Sequence, residues 1–237
     1  MNDVKINLES YQRPSQELQR KLELLQSYSQ VNIIGPMLQS VPSQWDVSKD
    51  FFIQVDSYQL GNATNSVILG DADSVKSEHK QFFDYIFPRQ KNFTDFEALL
   101  EFLTRYPKLK SLHLYGFWGG RFDHKHLIPC QISDFLLHNP QITMALLYNE
   151  SHQPGPVVLT QGIHHFNEQI SFSIISPYPQ QIHLMGDASY KGQLNLPAWS
   201  GLGLSNRSFG CWSMECQLPI WKYILSNDEH NDQDIKK

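Results

Sequence analysis

The chain has 237 residues, of which 41 % are hydrophobic, 12 % aromatic and 18 % charged. That composition suits one large globular domain or two modest ones, and it excludes a disordered polyelectrolyte or a chain made of membrane spans. The formal net charge of −5 leaves no global basic field for nucleic acid, so a polyphosphate ligand would need a metal ion or a few local cations.

Three cysteines, Cys130, Cys211 and Cys216, are too few and too scattered for a disulfide framework, and no C-x-x-C pair suggests a thiolate zinc site. The opening MNDVKINLES has no apolar signal core, and no stretch reaches membrane-spanning length. The expected location is the cytoplasm, with neither a membrane nor a nucleic-acid partner.

Met1 to Arg13 is polar and is expected to be loose (1–14 in all). Ser15 to Gln30 reads as a helix, with Leu18, Leu22 and Leu25 on one stripe. Val31 to Ile34, Phe51 to Val55 and Ser66 to Leu69 read as short buried strands, each followed at once by polar or glycine-containing sequence. Ser77 to Phe87 is compatible with a helix. Thr94 to Tyr106 is the clearest helix, with Phe96, Leu99, Leu100 and Leu103 on one face and Pro107 just beyond. Ser111 to Phe117 is a strand, His124 to His138 a helix containing Pro129, and Ile142 to Leu147 a strand.

Strand alternating with helix over 1–150 predicts an α/β domain, a mostly parallel sheet with flanking helices. In such sheets ligands sit beyond the carboxyl ends of the strands. At Ser151 the pattern changes. SHQPGP suits a linker, and 157–226 offers short β-type runs (VVL, ISFSII, QIHLM, LGLS, PIWKYIL) punctuated by Gly and Pro. These predict a small antiparallel β-sandwich or barrel, with the sandwich as the leading form. The charged tail 227–237 is expected to be disordered.

Three polar constellations follow predicted strands. Gly70-Asp71-Ala72-Asp73-Ser74 either forms a polar turn or points two carboxylates at one hard cation such as magnesium. Lys91-Asn92-Phe93-Thr94-Asp95-Phe96-Glu97 contains a T-x-x-E capping box, with Asp95 either assisting the helix start or joining Asp71 and Asp73 at a metal. Gly119-Gly120-Arg121-Phe122-Asp123-His124 pairs a glycine turn and a helix start with a planar guanidinium, a combination suited to phosphate. His124, His126 and the pair His164-His165 have no metal-ligand spacing and read as structural, surface or loop residues. No P-loop, dinucleotide fingerprint or G-x-S-x-G elbow is present.

GDADS, KNFTDFEALLEF, GGRFDH and LSN, in this order, resemble the thiamine pyrophosphokinase family over roughly Phe51 to Tyr223. The resemblance implies an α/β nucleotide-binding domain over 1–150 and a β-sandwich for substrate binding and dimerisation over 157–226. It implies a homodimer that transfers a pyrophosphoryl group from ATP to thiamine with magnesium, releasing AMP. By residue, it implies metal at Asp71, Asp73 and Asp95; catalysis by these acids with Arg121 and Asp123; nucleotide contacts at Asp56, Lys91, Gly119, Gly120 and Arg121; and thiamine contacts at Ser205, Asn206 and Trp221. Trp221 reads equally as core packing.

The chain departs from the family pattern at Ser57-Tyr58, where two glycines are usual, and at Asn92, where an acid is usual. Two alternatives stand beside the thiamine reading. One is a pyrophosphokinase acting on another alcohol such as a pterin; the other is a catalytically weakened protein that binds thiamine or a nucleotide.

Overall fold

The computed structural model describes residues 6–13, 15–43, 45–73, 76–118 and 122–225, with the side chains of 122–125 excepted. Internal packing divides the chain into two units, 1–155 and 156–237. No helix among the described residues is long and apolar enough to cross a membrane.

In the first unit, α1 (Gln16–Leu25) starts where the Ser15 hydroxyl accepts from the Leu18 N–H at 3.0 Å. It buries Leu18 and Leu25 while Leu22 stays half-buried. It ends well before Gln30, which instead opens β1 (Gln30–Ile34). Strands β2 (Phe52–Val55) and β3 (Ser66–Gly70) are buried at every position, as expected where both faces of a sheet are covered. The remaining strands are β4 (Tyr85–Ile86), β5 (Ser111–Tyr115) and β6 (Met144–Tyr148), in spatial order β4-β3-β2-β1-β5-β6, and every neighbouring pair is parallel. Helices α2 (Asp95–Leu103) and α3 (Phe122–His138) precede β5 and β6. Pro129 lies inside α3, beyond its first turn.

Three expectations for this unit need correction. Ser77 to Phe87 is not a helix: a 3-10 turn covers Ser77–Phe82, and the chain then enters β4. The cause is Asp84, whose carboxylate accepts from Ile68 N–H at 2.9 Å while its own N–H donates to Ile68 O. Buried Lys21 neutralises it at 3.2 Å, so the pair draws this segment against β3. Residues 6–13 are not loose. Leu8–Tyr11 form a 3-10 turn with Leu8 buried, and Gln12 bridges antiparallel to Tyr85. Residues 1–5 and 226–237 lie outside the described residues. Finally, the expected SHQPGP linker is a turn followed by a strand. Asn149 Oδ1 accepts from the N–H groups of Ser151 and Gln153, an Asx arrangement, and β7 (Pro154–Leu159) begins at a proline, which a strand tolerates at its first position.

The second unit is antiparallel. After β7 come β8 (Gly162–Glu168), β9 (Ser171–Ile175), β10 (Gln180–Ala188), β11 (Gly192–Leu196), β12 (Asn206–Cys216) and β13 (Ile220–Leu225). One sheet runs β7-β13-β9 and the other β11-β10-β12-β8. Strand β12 serves both, pairing with β9 at Asn206 and Arg207 and with β10 and β8 further on. Trp212 lies between Phe166 and Phe172, with ring centroids 4.3 and 4.2 Å away. Buried Lys222 sits 4.1 Å over Phe166 and pairs with Glu168.

Two further expectations fail here. His164-His165 is not a loop pair but part of β8, where His164 donates to Thr160 O and His165 meets Ser213 Oγ, each at 2.8 Å. LGLS is not a strand: Gly201–Gly203 make a 3-10 turn started by the Ser200 hydroxyl. A Cβ on Gly203 would lie 2.3 Å from Ile174 O, so only glycine fits against that backbone.

Candidate active site

Along the unit-one sheet the chain moves outward from β1 through β2 and β3 to β4, then returns to the other side of β1 for β5. Adjacent strands β1 and β5 are therefore left in opposite directions, and a crevice opens beyond their carboxyl ends. A cavity of about 210 Å³ occupies that place, lined in part by Pro36, Met37, Asp56, Asp95, Gly116 and Phe117. Gly116 has φ +74, and a Cβ there would meet Leu38 N at 2.5 Å. The floor of the crevice thus depends on a missing side chain.

Beside this cavity three carboxylates converge. Asp56 is the first residue past β2 and holds φ 44, a left-handed conformation that aspartate tolerates better than most residues. Its N–H donates to Leu69 O at 3.0 Å, and its Oδ1 accepts from Asp71 N–H at 3.0 Å. The intervening Gly70 has φ +148, and a Cβ there would lie 1.9 Å from Asp56 Oδ1. The glycine of GDADS is therefore required so that the Asp56 side chain can reach across to the next strand end. Asp71 is fixed on both oxygens, Oδ1 by Asp73 N–H at 3.1 Å and Oδ2 by Lys91 Nζ at 3.1 Å. Asp95 is the first residue of α2, held at 3.0 Å by the same lysine. Thr94 and Glu97 form the predicted capping box, at 2.7 and 3.0 Å. Asp56, Asp71 and Asp95 each offer one oxygen within 4.8 Å of the others.

One buried ammonium cannot neutralise three acids, and the ionisation follows from that. Burial, then the charges of Asp95 and Asp71, push the Asp56 carboxyl up to about 7. Burial also raises Asp95, against the pull of Lys91. For Asp71 burial acts upward too, but the Asp73 N–H and the Lys91 ammonium outweigh it and hold the acid below its ordinary value. Desolvation alone would lower Lys91, yet its bonds to Asp95 and Asp71 keep it raised and charged. Asp95 Oδ1 is buried and meets no donor among the described residues, and neither does Gln131 Oε1 in the same cavity wall. An all-oxygen, anion-rich set with an unserved buried oxygen fits a hard divalent cation.

The predicted residues divide accordingly. Asp71, Asp95 and Lys91 come together. Asp56, expected at the nucleotide, completes the carboxylate set, while Asp73 is exposed and contributes its N–H to Asp71. Gly119, Gly120, Arg121 and the side chain of Asp123 lie outside the described residues. Tyr58 lies outside the cavity lining: it stacks on Phe82 (5.3 Å, 13°) and meets His79 at a 31° tilt (4.3 Å), against Ile68, Ala72 and Phe83. Asn92 is exposed on its loop, and Ser57 is buried with its hydroxyl unserved.

In the second unit, Ser205 has φ +57 and is exposed. Asn206 is buried and its amide is spent internally: Oδ1 accepts from Tyr190 and Arg207 N–H, and Nδ2 donates to Tyr190 O. Trp221 is 4 % exposed, beneath Trp199, which is 57 % exposed and meets it edge-on at 5.1 Å. Trp199 and Gln131 escaped the sequence reading. Neither lies in a recognisable motif, and only packing gives them a place.

Residues 54–133 match the family model described as thiamin pyrophosphokinase, catalytic domain. No curated protein matches the chain. Among solved structures, thiamine pyrophosphokinase from Bacillus subtilis superposes with a TM-score of 0.62 at 20 % identity, covering 82 % of this chain and 97 % of its own. The Candida albicans enzyme gives 0.59 at 13 % identity, over 85 % and 90 %, and the yeast enzyme 0.55 at 12 %, over 86 % and 90 %. At these identities the likeness is one of fold.

Proposed function

We propose that this chain, a divergent member of the thiamin pyrophosphokinase family, transfers a pyrophosphoryl group from ATP to the hydroxyl of thiamine, giving thiamine diphosphate and AMP. The observation that carries this reading is the cluster of Asp56, Asp71 and Asp95 around Lys91, beside a cavity at the strand ends where the sheet changes direction.

Asp56, Asp71 and Asp95 would hold magnesium, which would neutralise charge on the polyphosphate as the oxygen of the acceptor attacks the β-phosphorus and AMP leaves. The chain's own work is electrostatic and positional. Lys91 keeps Asp71 and Asp95 in place and supplies a fixed positive charge. Gly70 and Gly116 let backbone and carboxylate approach closely. Asp56 holds its proton to about 7 in the absence of a cation, so a bound divalent cation would favour its ionised form. We assign 1–150 to nucleotide binding, with Gly119, Gly120, Arg121 and Asp123 contributing to phosphate handling. The second unit, with Ser205, Asn206 and Trp221, is assigned to the acceptor and to pairing in a cytoplasmic homodimer.

Tyr58 packs on Phe82 outside the cavity lining, so the ring that replaces a usual glycine leaves room for a ligand in the crevice. AMP release from ATP and magnesium, measured with and without thiamine, tests the reading. Thiamine-dependent release is expected. Release that requires a different alcohol would move the acceptor, and no release with any alcohol would refute the transferase reading.

A further inference from the structure

Lys91 sits on the loop between β4 and α2, and among the described residues no backbone–backbone hydrogen bond reaches 88–93. Its flanks are held at Phe87, whose N–H donates to Gly70 O, and at the Thr94 cap. Between them the loop is fixed only by side chains. Lys91 makes its two ion pairs with a side chain 7 % exposed, and its ammonium lies 6.0 Å over the Phe87 ring.

A third ring, Tyr11, meets Phe87 edge-on at 5.4 Å and Phe93 at a tilt of 59° and 5.9 Å, and Phe87 and Phe93 meet each other edge-on at 5.5 Å. Tyr11 comes from the N-terminal arm. That arm is firmly attached: Arg13 N–H donates to Asp84 O and Arg13 Nη1 to Gln81 O, both at 2.8 Å, Gln12 bridges Tyr85, and Leu8 is buried.

We propose that Tyr11 is a positioning residue for Lys91: the arm closes an aromatic triangle that holds the 88–93 loop where its lysine can span Asp71 and Asp95. The inference rests on the reading of that cluster as the polyphosphate site. Without Tyr11, Phe87 and Phe93 lose the ring that ties them to the arm, and the loop keeps the two ion pairs, the Phe87–Phe93 contact and the ammonium over Phe87. A tyrosine ring contributes here through its faces and edges, so phenylalanine should serve as well.

The test uses the full chain with Tyr11→Ala and Tyr11→Phe. Acetylation rates of individual lysines are followed by mass spectrometry, with Lys21 (1 % exposed and paired with Asp84) as the internal control for a loosened fold. In Tyr11→Ala we expect Lys91 to react about three- to tenfold faster, as suits the loss of aromatic contacts, with Lys21 unchanged. In Tyr11→Phe both should react as in the wild type. The KM for magnesium-ATP should rise in Tyr11→Ala by a factor similar to the labelling change, with kcat altered much less. Unchanged Lys91 labelling, or a joint rise of Lys91 and Lys21, overturns the proposal. Labelling as expected in a wild type that releases no AMP leaves the positioning role standing and removes the proposed reaction instead.

Discussion

Replacing Asp56 with asparagine preserves the shape of the cluster and deletes its most costly charge. The amide oxygen can still accept from Asp71 N–H, and asparagine tolerates the left-handed φ of 44. In the folded chain the Asp56 carboxyl loses its proton near 7 instead of 3.8. The native state therefore holds a proton that the unfolded chain has already released, and stability falls as pH rises between those values. The gap between the two values corresponds to at most about 4 kcal/mol. Solvent at the rim, and a proton shared among three acids, bring the expected value to roughly 2 kcal/mol above pH 7. Asp56→Asn should therefore be more stable than the wild type by that amount at pH 8, about 4–8 °C in melting temperature for a chain of this size. The gain should shrink to about 0.5 kcal/mol or less at pH 4, where the wild-type acid is protonated in the folded chain and already partly protonated in the unfolded one. Magnesium should raise the wild-type melting temperature more than the variant's, and AMP release should be lost. Melting curves at pH 4, 6 and 8, with and without magnesium, provide the comparison. A destabilised variant at pH 8, or a difference that does not change with pH, would refute the account of the cluster's ionisation.

Other substitutions probe the same geometry. Gly70→Ala puts a methyl group 1.9 Å from Asp56 Oδ1 at φ +148; a loss of about 2–4 kcal/mol is expected in denaturant unfolding, and a wild-type midpoint would show that the reach of Asp56 across Gly70 is unnecessary. Lys91→Met strips the cation from two half-buried acids, so the metal-free protein should lose about 1–3 kcal/mol and recover much of it when magnesium is added in a thermal-shift assay. Asp71→Asn should lower kcat at least about a hundredfold, whereas exposed Asp73→Asn should stay within about threefold because its N–H contact to Asp71 survives; equal losses would return Asp73 to the metal. Asn206→Ala removes three internal hydrogen bonds and should cost about 2–3 kcal/mol of stability, while a shift in thiamine KM without loss of stability would assign the amide to the acceptor instead.

Apart from β4, the strands of the first unit were legible because each is a short apolar run closed by a polar turn, and α2 because its stripe and capping box agree. Segments governed by one distant partner were not. Nothing local marks Asp84 as the residue that pulls 83–86 into the sheet, since the reason lies in Lys21 and the Ile68 N–H. Residues 6–13 read as loose because Leu8 and Tyr11 are isolated apolar residues in a polar stretch, and their partners, such as Phe87 and Phe93 for Tyr11, lie some eighty positions on. β8 is not legible because its half-buried face carries His164, Phe166 and Glu168, only one of them apolar, while Ile163 faces out. At the site, motif spacing gave Asp71 and Asp95 but paired them with Asp73. The left-handed Gly70 sets the carboxylate that actually completes the cluster, bringing Asp56 over from the neighbouring strand end, and a sequence pattern carries no sign of such a lateral reach.

Strand β12 hydrogen-bonds to β9 in one sheet of the second unit and to β8 and β10 in the other. A sandwich whose layers touch only through side chains can shed one layer while keeping the other. Here a single strand is load common to both, so detaching either sheet strips amide partners from the strand that completes its opposite. The two layers should open as one kinetic event, and their slowest-exchanging amides should share one opening free energy instead of sorting into two classes.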